Sequence, residues 1–242
     1  MTTGTVFCLG LGPGDPDLMT VRADRLLRQA RHVAYFRKRG RKGQARQIVE
    51  GLLPDGVIEF PMEYPVTTEI PFTDPEYNRL LSVFYEDCVA HLRTLAQGGE
   101  DVMVLCEGDP FFYGSFMHLY TRLQPDIPIE IVPAVTGMSA AWTATGQPVT
   151  WGDDVLTVLM GTLAEVDLVS RISDSDALVI MKIGRNIDKV RAALRTAGKF
   201  DDAWLIEFAS MPGQTVQRLS EAEGKVTPYF SIIVVHGQGR RP

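Results

Sequence analysis

Two turns that carry the same tripeptide give the clearest chemical signal in the sequence. Gly14-Asp15-Pro16 comes shortly after the apolar run VFCLG, and Gly108-Asp109-Pro110 comes shortly after the run VMVLC. Short apolar runs rich in β-branched residues are typical of buried strands. Open α/β sheets bind ligands at the carboxyl ends of such strands, so the two turns predict a ligand-binding site that contains glycine and an acid.

The first turn does not match a dinucleotide-binding loop. The fingerprint G-x-G-x-x-G requires a third glycine at the position that Asp15 occupies. Pro13 lacks a backbone N–H and Asp15 adds negative charge, so the loop is poorly suited to a pyrophosphate. A neutral or cationic ligand fits better, and S-adenosylmethionine (SAM), with its ribose hydroxyls and positive sulfonium, is such a ligand. A Rossmann-type methyltransferase usually has an acid after the second strand, where this chain has Arg37.

The elements that must position these turns follow two different patterns. Up to about residue 132, predicted strands alternate with predicted helices, which favours a mostly parallel sheet with helices on both faces. Beyond residue 150, strands dominate around a helix predicted over 186–197, which favours a mixed sheet. The stretch 61–75 contains four prolines and is predicted to be irregular: a lid, a dimer contact or a surface excursion without function. The predicted strands cover residues 4–10, 32–36, 57–60, 102–106, 129–132, 154–160, 176–182, 203–208 and 230–236.

Length and charge limit the class of protein. A chain of 242 residues predicts two α/β domains, which we place at residues 1–125 and 126–242. The net charge of −6 argues against a nucleic acid or an anionic membrane as partner. An anionic substrate would therefore have to bind at a local cationic patch.

Cysteine and histidine usage indicates neither a disulfide framework nor a metal site. Cys8, Cys88 and Cys106 are odd in number and lack C-x-x-C spacing, which is typical of a reducing compartment. The four histidines form no H-E-x-x-H motif or close pair. No leader-like segment and no apolar run of membrane-spanning length is present, so we expect a cytoplasmic protein.

Four segments together carry a family resemblance. They are GLGPGDPDLMTVRA (10–23), CEGDPFFYGS (106–115), PAVTGMSAA (133–141) and VLMGT (158–162). In this order, and over nearly the whole chain, the sequence resembles the tetrapyrrole (corrin/porphyrin) methylase family. Within that family, residues 35–45, 179–186 and 206–214 resemble the branch that methylates C20 of precorrin-2 in cobalamin (vitamin B12) biosynthesis.

The resemblance implies a fold, a cofactor and a set of binding residues. Two α/β domains would enclose SAM in a cleft between them, SAM would leave as S-adenosylhomocysteine, and the protein would be a homodimer. Many family members have glycine where Glu107 stands, so this position departs from the pattern. The cofactor-binding residues carried over by matching motifs are Pro13, Glu107, Gly108, Asp109, Phe112, Thr136, Gly137, Met160 and Ala209.

The tetrapyrrole substrate that the resemblance implies, precorrin-2, carries many carboxylates. Five cations within six residues, on a loop after the second strand, are predicted to bind them: Arg37, Lys38, Arg39, Arg41 and Lys42. The usual alternative for such a run is a solvated basic loop. Lys182 and Arg185 are further substrate-binding candidates, although either could instead cover apolar surface or cap the following helix.

The implied reaction requires positioning more than reactive side chains. The sulfonium already has a good leaving group, so alignment can supply about 7–11 kcal/mol and no covalent intermediate is needed. Related enzymes that use an aspartate after the second strand have it at the position of Phe36, so no catalytic residue is assigned. Tyr113, Glu107 and His118 lie near the second turn in sequence.

Several alternatives stay open on the sequence alone. Within the family, these are a C20-methyltransferase acting on cobalt-factor II, a uroporphyrinogen methylase and a diphthine synthase. From other classes, they are a nicotinamide-dependent oxidoreductase and a non-catalytic tetrapyrrole carrier. The broken fingerprint at Asp15 disfavours the oxidoreductase, and the set of cofactor motifs disfavours the carrier.

Overall fold

The chain forms two compact units. The structure is a computed structural model that describes residues 2–67, 69–71 and 73–240. The first unit, called unit 1, is Met1–Thr136, and the second, called unit 2, is Gly137–Pro242. Each unit has its own sheet and its own core.

Unit 1 contains a five-stranded sheet in which every pair is parallel, which confirms the predicted sheet type. The order is β3-β2-β4-β1-β5, so all five strands end at the same edge. The boundary predicted at 125–126 precedes β5, whereas β5 pairs with β1 within unit 1. The strands are β1 (Val6–Gly10), β2 (His32–Lys38), β3 (Ile58–Tyr64), β4 (Val102–Cys106) and β5 (Ile129–Val132).

Helices cover both faces of this sheet. They are α1 (Val21–Leu27), α2 (Gln44–Ile48), α3 (Pro75–Gln97) and α4 (Phe116–Leu123). One core contains side chains of α3 and α4, and the other contains side chains of α1 and α2. At the start of α3, Asp74 accepts a hydrogen bond from the backbone N–H of Glu76 (2.8 Å). No helix of the described residues is both long and apolar enough to cross a membrane.

The proline-rich stretch 61–75 is more regular than the sequence suggested. Pro61 lies inside β3, so the prediction of an irregular segment was wrong at its start, whereas Pro75 is the first residue of α3, where a helix was predicted over 75–97. β3 is an edge strand, where a missing backbone N–H is tolerated. Proline is also favourable in the first turn of a helix. Thr68 and Phe72, between these elements, lie outside the described residues.

Unit 2 contains a mixed sheet, as predicted. The order is β6-β7-β10-β8-β9, with β6 and β7 parallel and the other three pairs antiparallel. The carboxyl ends of β6, β7 and β8 therefore lie at one edge, where β10 begins. The strands are β6 (Leu156–Met160), β7 (Ala177–Met181), β8 (Trp204–Glu207), β9 (Thr215–Arg218) and β10 (Ser231–Val235).

Three helices pack on this sheet: α5 (Gly137–Ala144), α6 (Glu165–Ser173) and α7 (Ile187–Thr196). Only α7 was predicted. α5 has the sequence GMSAAWTA, which lacks a charged face, and packs through Ala140 and Ala141. α6 begins after Ala164, which makes no side-chain capping bond, so the usual start signal is missing.

Candidate functional site

The two glycine turns of unit 1 are hydrogen-bonded to each other. β1 and β4 are neighbours, with Gly10 opposite Cys106. The ladder continues beyond the strands, because the N–H of Leu11 donates to the Cys106 carbonyl at 2.9 Å and the N–H of Gly108 donates to the Gly12 carbonyl at 2.7 Å. The sequence predicted that both turns form one ligand-binding edge, and the structure brings their backbones into direct contact.

Glycine is required at three positions of this edge for two reasons. Gly12 (φ +82°) and Gly108 (φ +66°) adopt the left-handed conformation that other residues rarely take. Gly10 is required by close packing, because a Cβ there would lie 2.6 Å from the Cβ of Ala134 and 2.9 Å from the carbonyl oxygen of Val132. The turns after β1 and β5 therefore meet at a position with no room for a side chain.

The two aspartates of the repeated tripeptide bind backbone. Asp109 accepts hydrogen bonds from the N–H of Phe111 (2.9 Å) and from the N–H of Ala134 (3.1 Å). It thereby holds the second turn against the segment that leads from β5 to Thr136. Asp15 accepts from the N–H of Asp17 at 2.9 Å. The sequence suggested a ligand role for Asp109 and did not suggest that it connects two loops of the same edge.

Glu107 is the first residue after β4. More than a third of its surface is exposed, yet desolvation raises the pKa of its carboxyl to about 7. The side chain therefore changes charge near neutral pH, in the segment predicted to bind the cofactor. Its neighbour Cys106 lies 3.4 Å from Cys8, sulfur to sulfur, and burial raises the pKa of the Cys8 thiol well above its ordinary value.

The loop after the second turn is tightly folded. A Cβ at Gly114 would lie 2.6 Å from the carbonyl oxygen of Pro110. Tyr113 adopts φ +58° and packs its ring edge-on against half-buried Phe112, with 4.9 Å between ring centroids. The loop thus holds the predicted cofactor contact Phe112 in a defined orientation.

The groups at this edge fit SAM better than a phosphate ligand. Pro13 and Pro16 offer no N–H, and the first helical turn after β1 is a 3-10 helix of three residues, Pro16–Leu18, which precedes α1. Carboxylates of Asp15, Glu107 and Asp109 suit ribose hydroxyls and a positive sulfonium, and would repel a pyrophosphate. The backbone carbonyls and N–H groups of the open glycine turns are further partners for a neutral amino-acid portion.

The basic segment lies at the same edge, because β2 is parallel to β4 and adjacent to it. Arg37 and Lys38 are the last two residues of β2, so the prediction that all five cations lie on a loop was wrong for these two. Three of its five cations form ion pairs with the chain's own carboxylates: Arg37 with Glu63, Lys38 with Glu69, and Lys42 with Glu50. Within the described residues, exposed Arg39 and Arg41 form no ion pair. The segment therefore offers two uncompensated guanidinium groups rather than the five free cations that the sequence suggested.

The predicted residues of unit 2 gather at the carboxyl edge of its sheet. Met160 ends β6 opposite Met181, and Lys182 follows directly on β7. Ala209 follows β8 and is buried, with Val179 and Ile206 in the same cluster. Arg185 lies just beyond, in the 3-10 turn Gly184–Asn186.

The predicted pair Thr136 and Gly137 lies at the start of α5. Gly137 begins this helix, where an added Cβ would make an ordinary 3.7 Å contact with Ile232. Thr136 is the last residue of unit 1.

This edge of unit 2 also carries backbone strain that the sequence did not reveal. Lys182 (φ +53°), Phe208 (φ +53°) and Ser210 (φ +60°) adopt the left-handed conformation without being glycine. Such residues are often found at binding sites, where the surrounding structure holds them in place. No sequence pattern marks them, because neither Lys, Phe nor Ser favours this conformation.

In the part of the chain that the structure describes, no group of three or more His, Cys, Asp or Glu side chains is arranged to hold a metal ion.

Sequence comparison finds one matching family and close relatives. The model of the Tetrapyrrole (Corrin/Porphyrin) Methylases matches residues 5–223. A precorrin-2 C(20)-methyltransferase of Sinorhizobium sp is 45% identical over 99% of this chain and 98% of its own length. The cobalamin biosynthesis protein CobIJ of Mycobacterium tuberculosis is 42% identical over 98% of this chain, which spans about half (47%) of that protein. A cobalt-precorrin-2 C(20)-methyltransferase of Salmonella typhimurium is 28% identical over 97% of both chains.

Solved structures share the fold. A cobalt precorrin-4 methyltransferase superimposes with a TM-score of 0.74 at 23% identity, covering 96% of this chain and 94% of that chain. A uroporphyrin-III C-methyltransferase from Thermus thermophilus, complexed with S-adenosylhomocysteine, superimposes with a TM-score of 0.67 at 24% identity. The coverage is 96% of this chain and 97% of the Thermus chain.

Proposed function

The chain belongs to the tetrapyrrole (corrin/porphyrin) methylase family, and from this we propose that it transfers the methyl group of SAM to C20 of precorrin-2. The family predicted from the sequence is thereby confirmed. The observation that carries the choice of substrate is the 45% identity to a precorrin-2 C(20)-methyltransferase over nearly the whole length of both chains. The product of the proposed reaction is precorrin-3A, an intermediate of cobalamin biosynthesis.

We infer that the turns of unit 1 hold the cofactor. The left-handed backbone of Gly12 and Gly108 shapes the two turns, which their mutual hydrogen bond holds together, and Glu107 adds an exposed carboxyl. Asp109 is already bonded to two backbone N–H groups, so its direct contact with ribose would use the remaining lone pairs of its oxygens. When bound, SAM supplies an electrophilic methyl group. Pro13, Phe112 and Thr136 are proposed to complete the contacts of unit 1, and Gly137, Met160 and Ala209 those of unit 2.

The basic segment is proposed to orient the substrate. Arg39 and Arg41 are the side chains best able to bind carboxylate arms, because they carry no intramolecular ion pair among the described residues. Arg37, Lys38 and Lys42 are proposed to contribute after exchanging their glutamate partners for substrate carboxylates. The pairs of Lys38 and Lys42 are exposed and are each worth about 0–1 kcal/mol, so their exchange costs little free energy, whereas Arg37 is half-buried. Lys182 and Arg185 are proposed as substrate contacts from unit 2.

The chain's residues need not form a covalent bond to the substrate. Their proposed work is to bind, to orient the meso carbon towards the methyl group and to exclude water, which can lower the barrier by about 7–11 kcal/mol. The methylated carbon must then release its proton. Phe36, at the end of β2, cannot accept it, and we assign no catalytic base.

The metal-free substrate is favoured over its cobalt-containing counterpart by the difference between two relatives. Identity is 45% to the precorrin-2 enzyme of Sinorhizobium sp and 28% to the cobalt-precorrin-2 enzyme of Salmonella typhimurium. The same family membership leads us to propose a homodimer, which sedimentation velocity of the purified protein would test.

The proposed function is tested by anaerobic incubation of the protein with SAM and one tetrapyrrole per tube: precorrin-2, cobalt-factor II or uroporphyrinogen III. Mass spectrometry of the pigment is expected to show one added methyl group in the precorrin-2 tube and a much slower gain in the others. Methylation of uroporphyrinogen III alone would move the protein to another branch of the family.

A further inference from the structure

A tyrosine outside the cofactor and substrate motifs lies on the substrate side of unit 1. Tyr64 is the last residue of β3 and pairs in register with Lys38, where the basic segment begins. Its ring stacks on Phe36 (centroids 5.5 Å apart, planes at 17°) and packs against Phe84 of α3 at 5.1 Å. Because rings fix it on two sides, Tyr64 can hold its hydroxyl in one place.

That hydroxyl reaches the cofactor side of the same edge. Tyr64 donates a hydrogen bond to the Oγ of Ser115, the residue that ends the loop begun by Gly108. Ser115 is the N-cap of α4, and serine in this position usually accepts a bond from the first turn of the helix. Here it has helical dihedrals (φ −66°, ψ −20°) and makes no capping bond. The Ser115 hydroxyl therefore accepts a hydrogen bond from Tyr64 of β3 and does not cap the helix.

A third hydroxyl, that of Tyr85, lies beside the hydrogen bond between Tyr64 and Ser115. Tyr85, buried on α3, places its hydroxyl near those of Ser115 and Tyr64, close enough for both to influence its pKa. Burial raises the pKa of Tyr85 above its ordinary value, and the two neighbouring hydroxyls oppose that shift only in part. Its ring stacks on His118 at 4.6 Å, and desolvation lowers the pKa of that histidine. The Tyr85 hydroxyl therefore keeps its proton at neutral pH, and the hydrogen bond from Tyr64 to Ser115 is the connection between the two sides of the edge.

We propose that Tyr64 is a positioning residue that couples the two ligands through Ser115. The hydrogen bond holds the loop after the second glycine turn in place relative to β3 and the basic segment. Ordering of the loop by the cofactor is thereby transmitted to the side that binds the tetrapyrrole. This inference rests on the proposed function for the identity of the ligands. Its geometry lies wholly within unit 1.

Hydrogen exchange with S-adenosylhomocysteine as the probe tests the coupling without any tetrapyrrole. In the unaltered protein, protection is expected to spread from peptides covering 106–115 to peptides covering 36–42 and 58–67. In Tyr64→Phe and Ser115→Ala, protection is expected to stay within 106–115, whereas Ser115→Thr, which keeps a hydroxyl, retains the spread. Tyr120→Phe is the matched control. It also removes a tyrosine hydroxyl, but Tyr120 packs against Phe111 and Phe116 and takes no part in the hydrogen bond between Tyr64 and Ser115.

A second measurement gives the size of the coupling. The affinity for precorrin-2 is measured anaerobically with and without S-adenosylhomocysteine, and we expect a ratio of at least about 5 in the unaltered protein. In Tyr64→Phe the ratio is expected to fall to between about 1 and 2, with little change in affinity for S-adenosylhomocysteine alone. A merely structural role would lower the melting temperature and leave the ratio unchanged.

The two proposals fail in different ways. The coupling would be overturned if protection from hydrogen exchange did not spread beyond 106–115 in the unaltered protein. It would also be overturned if the spread were the same in Tyr64→Phe. Neither result would affect the methyltransferase proposal. Normal spread without any binding of precorrin-2 would overturn the choice of substrate and support the coupling. No binding of S-adenosylhomocysteine would overturn both.

Discussion

The proposed ligand-binding edges of the two units reach left-handed backbone conformations largely by different means. In unit 1, glycines provide these positions within the two turns, at Gly12 and Gly108, and Tyr113 (φ +58°) adopts one only in the loop that follows. In unit 2, Lys182, Phe208 and Ser210 adopt them. The left-handed conformation destabilises a residue with a side chain by about 1–2 kcal/mol, whereas glycine adopts it with almost no such strain.

This difference explains why a sequence motif marks the edge of unit 1, whereas no motif marks the strained residues at the edge of unit 2. A glycine turn leaves a motif that can be read, as in the repeated Gly-Asp-Pro. Strain on Lys182 or Phe208 leaves no motif, because tertiary packing imposes it. The comparison also predicts opposite responses to substitution at the two edges.

The largest effect is expected for Gly10→Ala in unit 1. The new Cβ would lie within 2.9 Å of three atoms that cannot easily move, on Ala134, Pro110 and Val132. Overpacking of this kind costs about 1–3 kcal/mol, and it would separate the two turns that are proposed to bind the cofactor. We expect at least about tenfold weaker SAM binding by calorimetry and a lower urea midpoint.

Gly184→Ala in unit 2 is the matched control for that change. Its φ is not in the left-handed region, and an added Cβ would meet no atom within 4 Å. Stability is expected to be unchanged or slightly higher. Equal losses in both variants would contradict the claim that close packing at Gly10 is specific to the cofactor turns.

The next effect concerns the cations of the two edges. Arg39→Ala combined with Arg41→Ala removes the two cations of the basic segment that form no ion pair among the described residues. Bonds between charged groups contribute about 1.5–3 kcal/mol each, so we expect at least about tenfold weaker precorrin-2 binding and unchanged SAM binding. The dependence of binding on salt should also decrease.

Lys42→Ala provides the control in the same segment, because Lys42 is already paired with Glu50 at 2.8 Å. Its effect on precorrin-2 affinity is expected to be under about 1 kcal/mol. Arg185→Ala measures the contribution of unit 2. If Lys42→Ala or Arg185→Ala weakened binding more than the double variant, the assignment of Arg39 and Arg41 would be wrong.

A smaller effect distinguishes strained from unstrained backbone. Ser210→Gly relieves φ +60° strain, and after the entropy cost of glycine we expect a gain of about 0.5–1 kcal/mol in the free energy of unfolding. Gly12→Ala imposes the same strain on unit 1 and is expected to lose about 1–2 kcal/mol. Urea unfolding of both variants measures the contrast. A loss on Ser210→Gly would mean that its side chain stabilises unit 2 more than the strain destabilises it.

The smallest effect is expected at Glu107. Its folded pKa of about 7 exceeds the ordinary 4.5, so the folded chain holds a proton there that the unfolded chain loses as pH rises through this interval. Stability therefore falls as pH rises between these values, and the penalty is complete above pH 7. At pH 8, the melting temperature of Glu107→Gln should be higher than that of the unaltered protein, by less than about 4 °C. At pH 4.5, the two melting temperatures should be the same. A lower melting temperature at pH 8 would contradict desolvation of this carboxyl.

The sequence predicted the regular parts of the fold because their signals are local. Alternating apolar runs located nine strands, and a helical pattern over 75–97 located α3. It did not predict β9 or α6, since Thr215–Arg218 is a short edge strand and α6 lacks a capping residue. The strand in 61–64 was missed because Pro61 is acceptable only at a sheet edge, and strand order is not a local property.

For the candidate site, residue types were predictable and their bonding was not. The motifs placed Asp109 and the basic segment at one edge. Whether Asp109 binds a loop, or Lys38 pairs with Glu69, depends on residues distant in sequence that folding brings together. The Tyr64–Ser115 connection is of the same kind, since each residue alone is an ordinary core or capping residue.

The account's central claim is methylation at C20, and the position of the new carbon tests it most directly. The protein is incubated anaerobically with precorrin-2 and SAM labelled with carbon-13 in its methyl group, and the product is examined by carbon-13 NMR. We predict one enriched methyl signal, on the meso carbon C20. An enriched methyl group on a pyrrole-derived ring carbon, or none while SAM is bound, would contradict the claim.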